Sequence, residues 1–180
     1  EGRRHMIVVE TNSCASGQKS MPYVEEKEVR NGYHQLLKRT FLPALREAEL
    51  AGTVPEGGAL AVIFDKNEME NHGYARTLAQ LSGETVYCVE AYNQDPDPSI
   101  RWVGEYGSIL EVRDEKGVWH MVRGAFRYVT QKPWNRIPVA AGAKVRTFLL
   151  NPTSACLAGG RNKLVADKAY EFFNIVASEQ

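Results

Sequence analysis

Two apolar runs of strand length, joined by a helical pattern, constrain the fold of this chain more than any other feature. The first is ALAVIF, Ala59–Phe64, and the second TVYCVE, Thr85–Glu90. The first is continuously apolar, as in strands buried on both faces of a parallel sheet. Between them lies NEMENHGYARTLAQLSG, in which Tyr74, Leu78 and Leu81 share one helical face and Gly83 supplies a stop. Strand, helix, strand is a βαβ unit, which joins two parallel strands by a right-handed crossover.

The flanking segments extend the alternation. GSILEVRDEKGVWHMV reads as a hairpin with Asp114–Gly117 at its tip. AFRYV, Ala125–Val129, reads as a further buried strand, and VRTFLL, Val145–Leu150, as another, ended by Asn151-Pro152. PWNRIPVAAG carries a turn or short helix, and a last helix follows from ACLAGGRNK onward. Upstream, residues 5–10 read as a strand and residues 11–24 as a polar loop. Residues 25–50 read as a long helix whose apolar stripe is Val29, Tyr33, Leu36, Leu37, Phe41, Leu45 and Ala48. Glu25, Glu26 and Glu28 suit the start of such a helix, and Pro43 should kink or divide it. The expected fold class is α/β, with a mostly parallel sheet, one hairpin, and an N-terminal strand and long helix. AGTVPEGG, Ala51–Gly58, reads as a linker that separates residues 1–54 from 55–150, and the strand end at Asn151-Pro152 sets off the C-terminal helix as residues 151–180.

Charge and cysteines restrict the class of function. With 22 Lys and Arg against 22 Asp and Glu, the chain lacks the excess of positive charge that marks a nucleic-acid binder. Cys14, Cys88 and Cys156 are scattered without a C-x-x-C, which points to free thiols in a reducing, cytoplasmic setting. No apolar run is long enough for a membrane span.

The residues with chemical potential are few. VVETNSCASG puts Glu10 and Asn12 two apart at a strand end, on one side of an extended chain. They are either a solvated carboxylate and a turn cap, or two oxygen ligands for Mg2+. Ser13 and Ser16 follow, either as turn residues or as donors to a substrate carboxylate. Arg127, inside the apolar strand AFRYV, needs a partner, either a structural carboxylate or one on a ligand. No P-loop is present, and His5, His34, His72 and His120 lack zinc-ligand spacing.

In order along the chain, the ETNS strand end, the ALAVIFDKNEMEN run, the Phe126-Arg127 pair and LAGGRNK resemble the circularly permuted ATP-grasp ligases related to eukaryotic glutathione synthetase. The resemblance implies a Rossmann-like substrate-binding domain inserted in an ATP-grasp body. It implies Glu10 and Asn12 as Mg2+ ligands, and Ser13, Ser16, Asn71 and Arg127 as substrate contacts. Met69 and Ala75 stand where that family has an acidic residue and a glutamine, and FRYVTQ replaces its F-R-x-G-Y. The resemblance therefore does not extend to the glutathione substrates themselves.

The implied activity is joining a small-molecule carboxylate to an amine with ATP as co-substrate. The rest of the ATP-grasp region, supplied in cis beyond residue 180 or in trans, would hold the nucleotide, so the isolated chain is expected to be inactive. The competing expectation is a non-catalytic α/β module that binds a small molecule or a protein. Neither reading involves nucleic acid or membrane.

Overall fold

The structure is a computed structural model that describes residues 23–25, 28–155, 164, 167, 168, 171, 172 and 175. The expected strand at residues 5–10 and most of the loop after it lie outside the described residues.

Two short strands, β1 (Tyr23–Glu25) and β2 (Glu28–Arg30), pair antiparallel with Val24 opposite Val29. The long helix therefore starts later than expected, and Glu25 and Glu28 belong to this ribbon. Its first turn is fixed by Asn31, whose backbone is extended and whose side-chain oxygen accepts the backbone N–H of His34 at 3.1 Å. Helix α1 (Gly32–Leu36), a π-helical turn (Leu37–Phe41) and α2 (Leu42–Leu50) then run on with helical backbone at each junction. The widened turn, with the Leu42 N–H bonded to the Leu37 carbonyl, ends just before Pro43. In a regular α-helix the proline ring would press on the carbonyl of residue 39, so the π turn lets the helix pass Pro43 without dividing.

The βαβ unit is present as read. Strand β3 (Ala59–Phe64) runs parallel to β4 (Val86–Glu90), and α3 (Glu68–Ser82) connects them. Gly83, at φ 74°, caps α3 in the left-handed region that glycine tolerates.

The sheet as a whole is mixed, which corrects the expectation of a mostly parallel one. Its order is β4-β3-β7-β6-β5, with β8 also on β7. The expected hairpin arm and the AFRYV strand are one ten-residue strand, β7 (Trp119–Tyr128). Its first part pairs antiparallel with β6 (Ile109–Arg113), which in turn pairs antiparallel with β5 (Ile100–Val103). Its later part pairs parallel with β3 on one side and with β8 (Phe148–Leu150) on the other. A β-bulge at Arg123 joins the parts: Ala59 lies opposite Val122 but Leu60 opposite Gly124. The alternation of side chains breaks there, so the sequence pattern reads as two elements.

Each face of the sheet has its own core. On one face Leu60, Val62, Phe64, Phe126 and Tyr128 pack with Tyr33, Leu37, Phe41 and Leu45 of the first helix and Tyr74 and Leu78 of α3. That core spans the boundary expected at 54/55. The other face carries Ala61, Ile63, Val89, Ala125 and Val129, which cluster with Leu110 and Val112 of β6 and with Ile137 beyond the strands. Helix α4 (Thr153–Ala155) follows β8, and Leu164, Asp167, Lys168, Glu171, Phe172 and Ile175 are helical, as the last segment predicts.

Candidate functional site at the carboxyl ends of the strands

Ligands of open α/β sheets bind outside the carboxyl ends of the parallel strands. Here that rim is organised by Asp65, the residue after β3. Its carboxylate accepts the backbone N–H of Thr130 at 3.0 Å, the Thr130 hydroxyl at 3.2 Å and the Gln131 N–H at 2.9 Å. The Arg136 guanidinium completes the set, with Nη2 at 2.6 Å. Burial alone would raise the Asp65 carboxyl, but the Gln131 and Thr130 N–H groups and Arg136 together hold it below its usual value. Arg136 also donates to the carbonyls of Ala91 at 2.5 Å and Gln131 at 2.7 Å. The ends of β3, β4 and β7 are thus tied to the turn containing Pro133–Asn135.

Beside this clamp opens a cleft of about 250 Å3, whose walls include Glu90, Tyr92, Asp95, Ile100, Trp102 and Arg136. Trp102 Nε1 and Arg136 Nε are both buried with no hydrogen-bond partner. The Tyr92 hydroxyl is held above its ordinary value, first by desolvation and then by Glu90, Glu68 and Asp65. Burial, Glu68 and Glu90 push the Cys88 thiol up to about 12, so it stays protonated and is a poor nucleophile at neutral pH.

The residues singled out from sequence divide between the faces. Asn71, fully buried on α3, donates Nδ2 to the carbonyls of Lys66 at 2.9 Å and Asn67 at 3.0 Å, while its Oδ1 is buried without a partner. Arg127, equally buried, donates Nε to the Asn151 carbonyl at 2.5 Å and Nη1 to the Val129 carbonyl. The Asn151 side chain donates back to the Arg127 carbonyl at 3.3 Å. By strand alternation Arg127 points to the face of Ala125 and Val129, while α3 and Asn71 lie on the opposite face, that of Phe126 and Tyr128. A ligand touching both would have to reach around the carboxyl edge of the sheet. Glu10, Asn12, Ser13 and Ser16 lie outside the described residues. Among the described residues no group of three or more His, Cys, Asp and Glu is placed to hold a metal ion.

At the amino ends of β3 and β4 a second cleft, about 490 Å3, is lined by residues including Thr85, Tyr87, Trp119 and His120. His120 Nε2 lies 2.9 Å from Asp114 Oδ2, and its ring stacks on Tyr87 with centroids 4.7 Å apart. Asp114 also accepts the N–H groups of Lys116 and Val118, each at 2.9 Å, so the pair pins the hairpin tip.

Sequence reasoning missed Asp65, Arg136 and Trp102. Asp65 was readable as a carboxylate directly after a buried strand, and Arg136 as a cation inside the proline-bracketed PWNRIP. Trp102 gave no signal, because β5 is a four-residue edge strand that includes Arg101. No protein family, curated protein or solved structure was found to match the chain.

Proposed function

We propose that the chain is the substrate-binding part of an ATP-dependent carboxylate–amine ligase of the ATP-grasp type, acting in the cytoplasm on small molecules. The observation that carries this reading is the buried, unpartnered Oδ1 of Asn71 on the helix that follows β3. It is an unanswered acceptor near the strand ends where α/β sheets take ligands, on a residue that the motif order marks as a substrate contact. The mixed sheet supports the α/β class, and we read β3, α3 and β4 as its Rossmann-like unit.

In such a ligase the substrate carboxylate takes the γ-phosphoryl group of ATP. The amine then displaces phosphate from the resulting acylphosphate, forming the amide. Protein groups act in this chemistry mainly by position and charge. Asn71 would accept a hydrogen bond from an N–H or O–H group of one substrate. Arg127 would add positive potential on the other face, its donors being already engaged by carbonyls of Asn151 and Val129. Glu10 and Asn12 offer the hard oxygen donors that suit Mg2+, which when bound would offset charge on the transferred phosphoryl group. Ser13 and Ser16 would bind the carboxylate.

The test is ADP formation by the whole protein with ATP, Mg2+ and paired panels of carboxylates and amines. Amide product from one pair, with KM for one partner raised in Asn71→Ala, is the expected result. Small-molecule binding without nucleotide turnover by any pair would replace the ligase with a non-catalytic binding module.

A further inference from the structure

The cleft beside Arg136 carries an inference independent of the ligase reading. Arg136 and Trp102 both line it, and each carries one buried nitrogen, Nε and Nε1, that has no acceptor. Buried donors are normally answered by protein, water or ligand, so two of them on residues of one small cleft point to an oxygen atom that reaches them from it. The charge around them decides which kind. The positive charge of Arg136 is already matched by Asp65 at 2.6 Å, and two further carboxylates, Glu90 and Asp95, line the cleft. The Tyr92 hydroxyl reports the same negative surroundings, since Glu90, Glu68 and Asp65 help to raise it. A free carboxylate entering this cleft meets like charge with no uncommitted cation among the described lining residues, and a bare ammonium leaves both inner donors unanswered. A carboxamide suits both: its neutral oxygen matches the inner nitrogens, and its N–H groups match the carboxylates of Glu90 and Asp95 and the amide oxygens of Asn93 and Gln94, which also line the cleft. Ile100, Val129 and Ile137 supply apolar wall. At about 250 Å3 the cleft is smaller than the roughly 300–1,000 Å3 of pockets for drug-sized ligands, so it holds one small group.

We propose that this cleft is a binding site for a small molecule or side chain bearing a neutral carboxamide, held by Arg136 Nε–H and Trp102 Nε1–H.

The experiment is a titration of the full chain, labelled with 15N, with acetamide, and separately with acetate and with methylammonium. The indole N–H of Trp102, assigned by its loss in Trp102→Phe, and the Arg136 Nε–H are followed. Acetamide should shift both signals saturably, and the two ions should leave them unmoved. Trp102→Phe keeps an apolar wall but removes one donor, and should weaken acetamide binding roughly two- to tenfold. Arg136→Lys, which keeps a cation opposite Asp65, should weaken it comparably. If that variant does not fold, Trp102→Phe and the two signals still decide. Saturable shifts with acetate would make this a carboxylate site. Shifts with methylammonium alone would make it an acidic patch. No saturable shift, or shifts at Ser108 and Thr153, which with Trp102 line a neighbouring groove, instead of at Arg136, would place no ligand here. Each of these results overturns the proposal.

Discussion

Arg136 Nη2 and Asp65 Oδ2 meet at 2.6 Å across 71 positions of sequence, with side chains only 14% and 3% exposed. One contact therefore joins the end of the central parallel strand to the turn that closes the rim. Removing one partner of such a pair leaves the other buried and uncompensated. Asp65→Ala is expected to destabilise the fold by about 3–5 kcal/mol, since it also strips the acceptor from the Thr130 and Gln131 N–H groups. Urea unfolding checks this, and a loss below about 1 kcal/mol would show that the clamp is dispensable.

Acid should weaken the protein through two carboxylates. Asp65 is lowered by backbone N–H groups and Arg136 against the effect of burial, and Asp114 chiefly by its hydrogen bond to His120 and then by the Val118 N–H. A carboxyl whose folded value is depressed contributes stability that is present above its unfolded value, about 3.9. That contribution is lost as pH falls through the folded value. Urea midpoints should stay level above about pH 5 and fall below about pH 4. The fall should be shallower in Asp65→Asn, and an identical pH profile in that variant would remove Asp65 as a cause.

Helix α3 is pressed against Tyr33 at a glycine. A Cβ added at Gly73 would lie 2.6 Å from Tyr33 Cε2, well inside van der Waals contact. Gly73→Ala should therefore destabilise by about 1–3 kcal/mol through overpacking, outweighing the gain in helix propensity of up to about 1 kcal/mol. In a Tyr33→Ala background the same substitution should become neutral or stabilising, which a double-mutant cycle in urea would test.

Tyr33 offers a spectroscopic check of the same region. Burial, followed by Glu70 and Tyr128, pushes its hydroxyl up to about 12. Ultraviolet titration of the folded chain should show a late tyrosine, besides the raised Tyr92, that is absent in Tyr33→Phe. If the tyrosine lost in Tyr33→Phe titrates at the ordinary value of about 10 instead, the packing described around Tyr33 is incorrect.

The ligase proposal makes its own demand on the N-terminal motif. In the whole protein Glu10→Gln should lower activity sharply, since it removes a charged oxygen from a hard-cation site. Asn12→Ala should do less, because water replaces a neutral ligand, and added Mg2+ should partly rescue both. Ser16→Leu should impair substrate use without changing the Mg2+ requirement. Unchanged activity of Glu10→Gln at limiting Mg2+ would return the motif to a polar turn.

Sequence legibility followed local periodicity. ALAVIF, the α3 stripe and the Gly83 stop were readable because each signal lies within one element. The helix start was misplaced because Val29 fits the helical spacing of Tyr33 and Leu37, although it pairs with Val24 in a strand. At Pro43 the helix runs on through a π turn and does not divide, because the wider turn absorbs what an α-helix cannot. The mixed sheet was hidden in β7, whose parts follow different partners in opposite senses. Asn71 and Arg127 could be singled out by type and position, but the face each occupies depends on strand and helix placement. The Asp65–Arg136 clamp and the Trp102 nitrogen arise from contacts between distant segments, which no local pattern records.

The bulge in β7 has a bearing on length variation. Arg123 is the residue the ladder does not count, and it turns to the rim instead of into the Ala61–Val129 core. There it reaches Glu49 at 2.6 Å, Glu84 at 2.7 Å and the Gly58 carbonyl. Excising Arg123 alone would leave Val122 and Gly124 on their present faces and restore unbroken pairing with Ala59 and Leu60. Excising one residue within Ala125–Tyr128 would invert part of the strand and turn buried side chains to the wrong core. The strand thus carries one spare link: a chain shortened there keeps its hydrophobic phase and loses only the arginine that laces helix, loop and turn together at the amino rim.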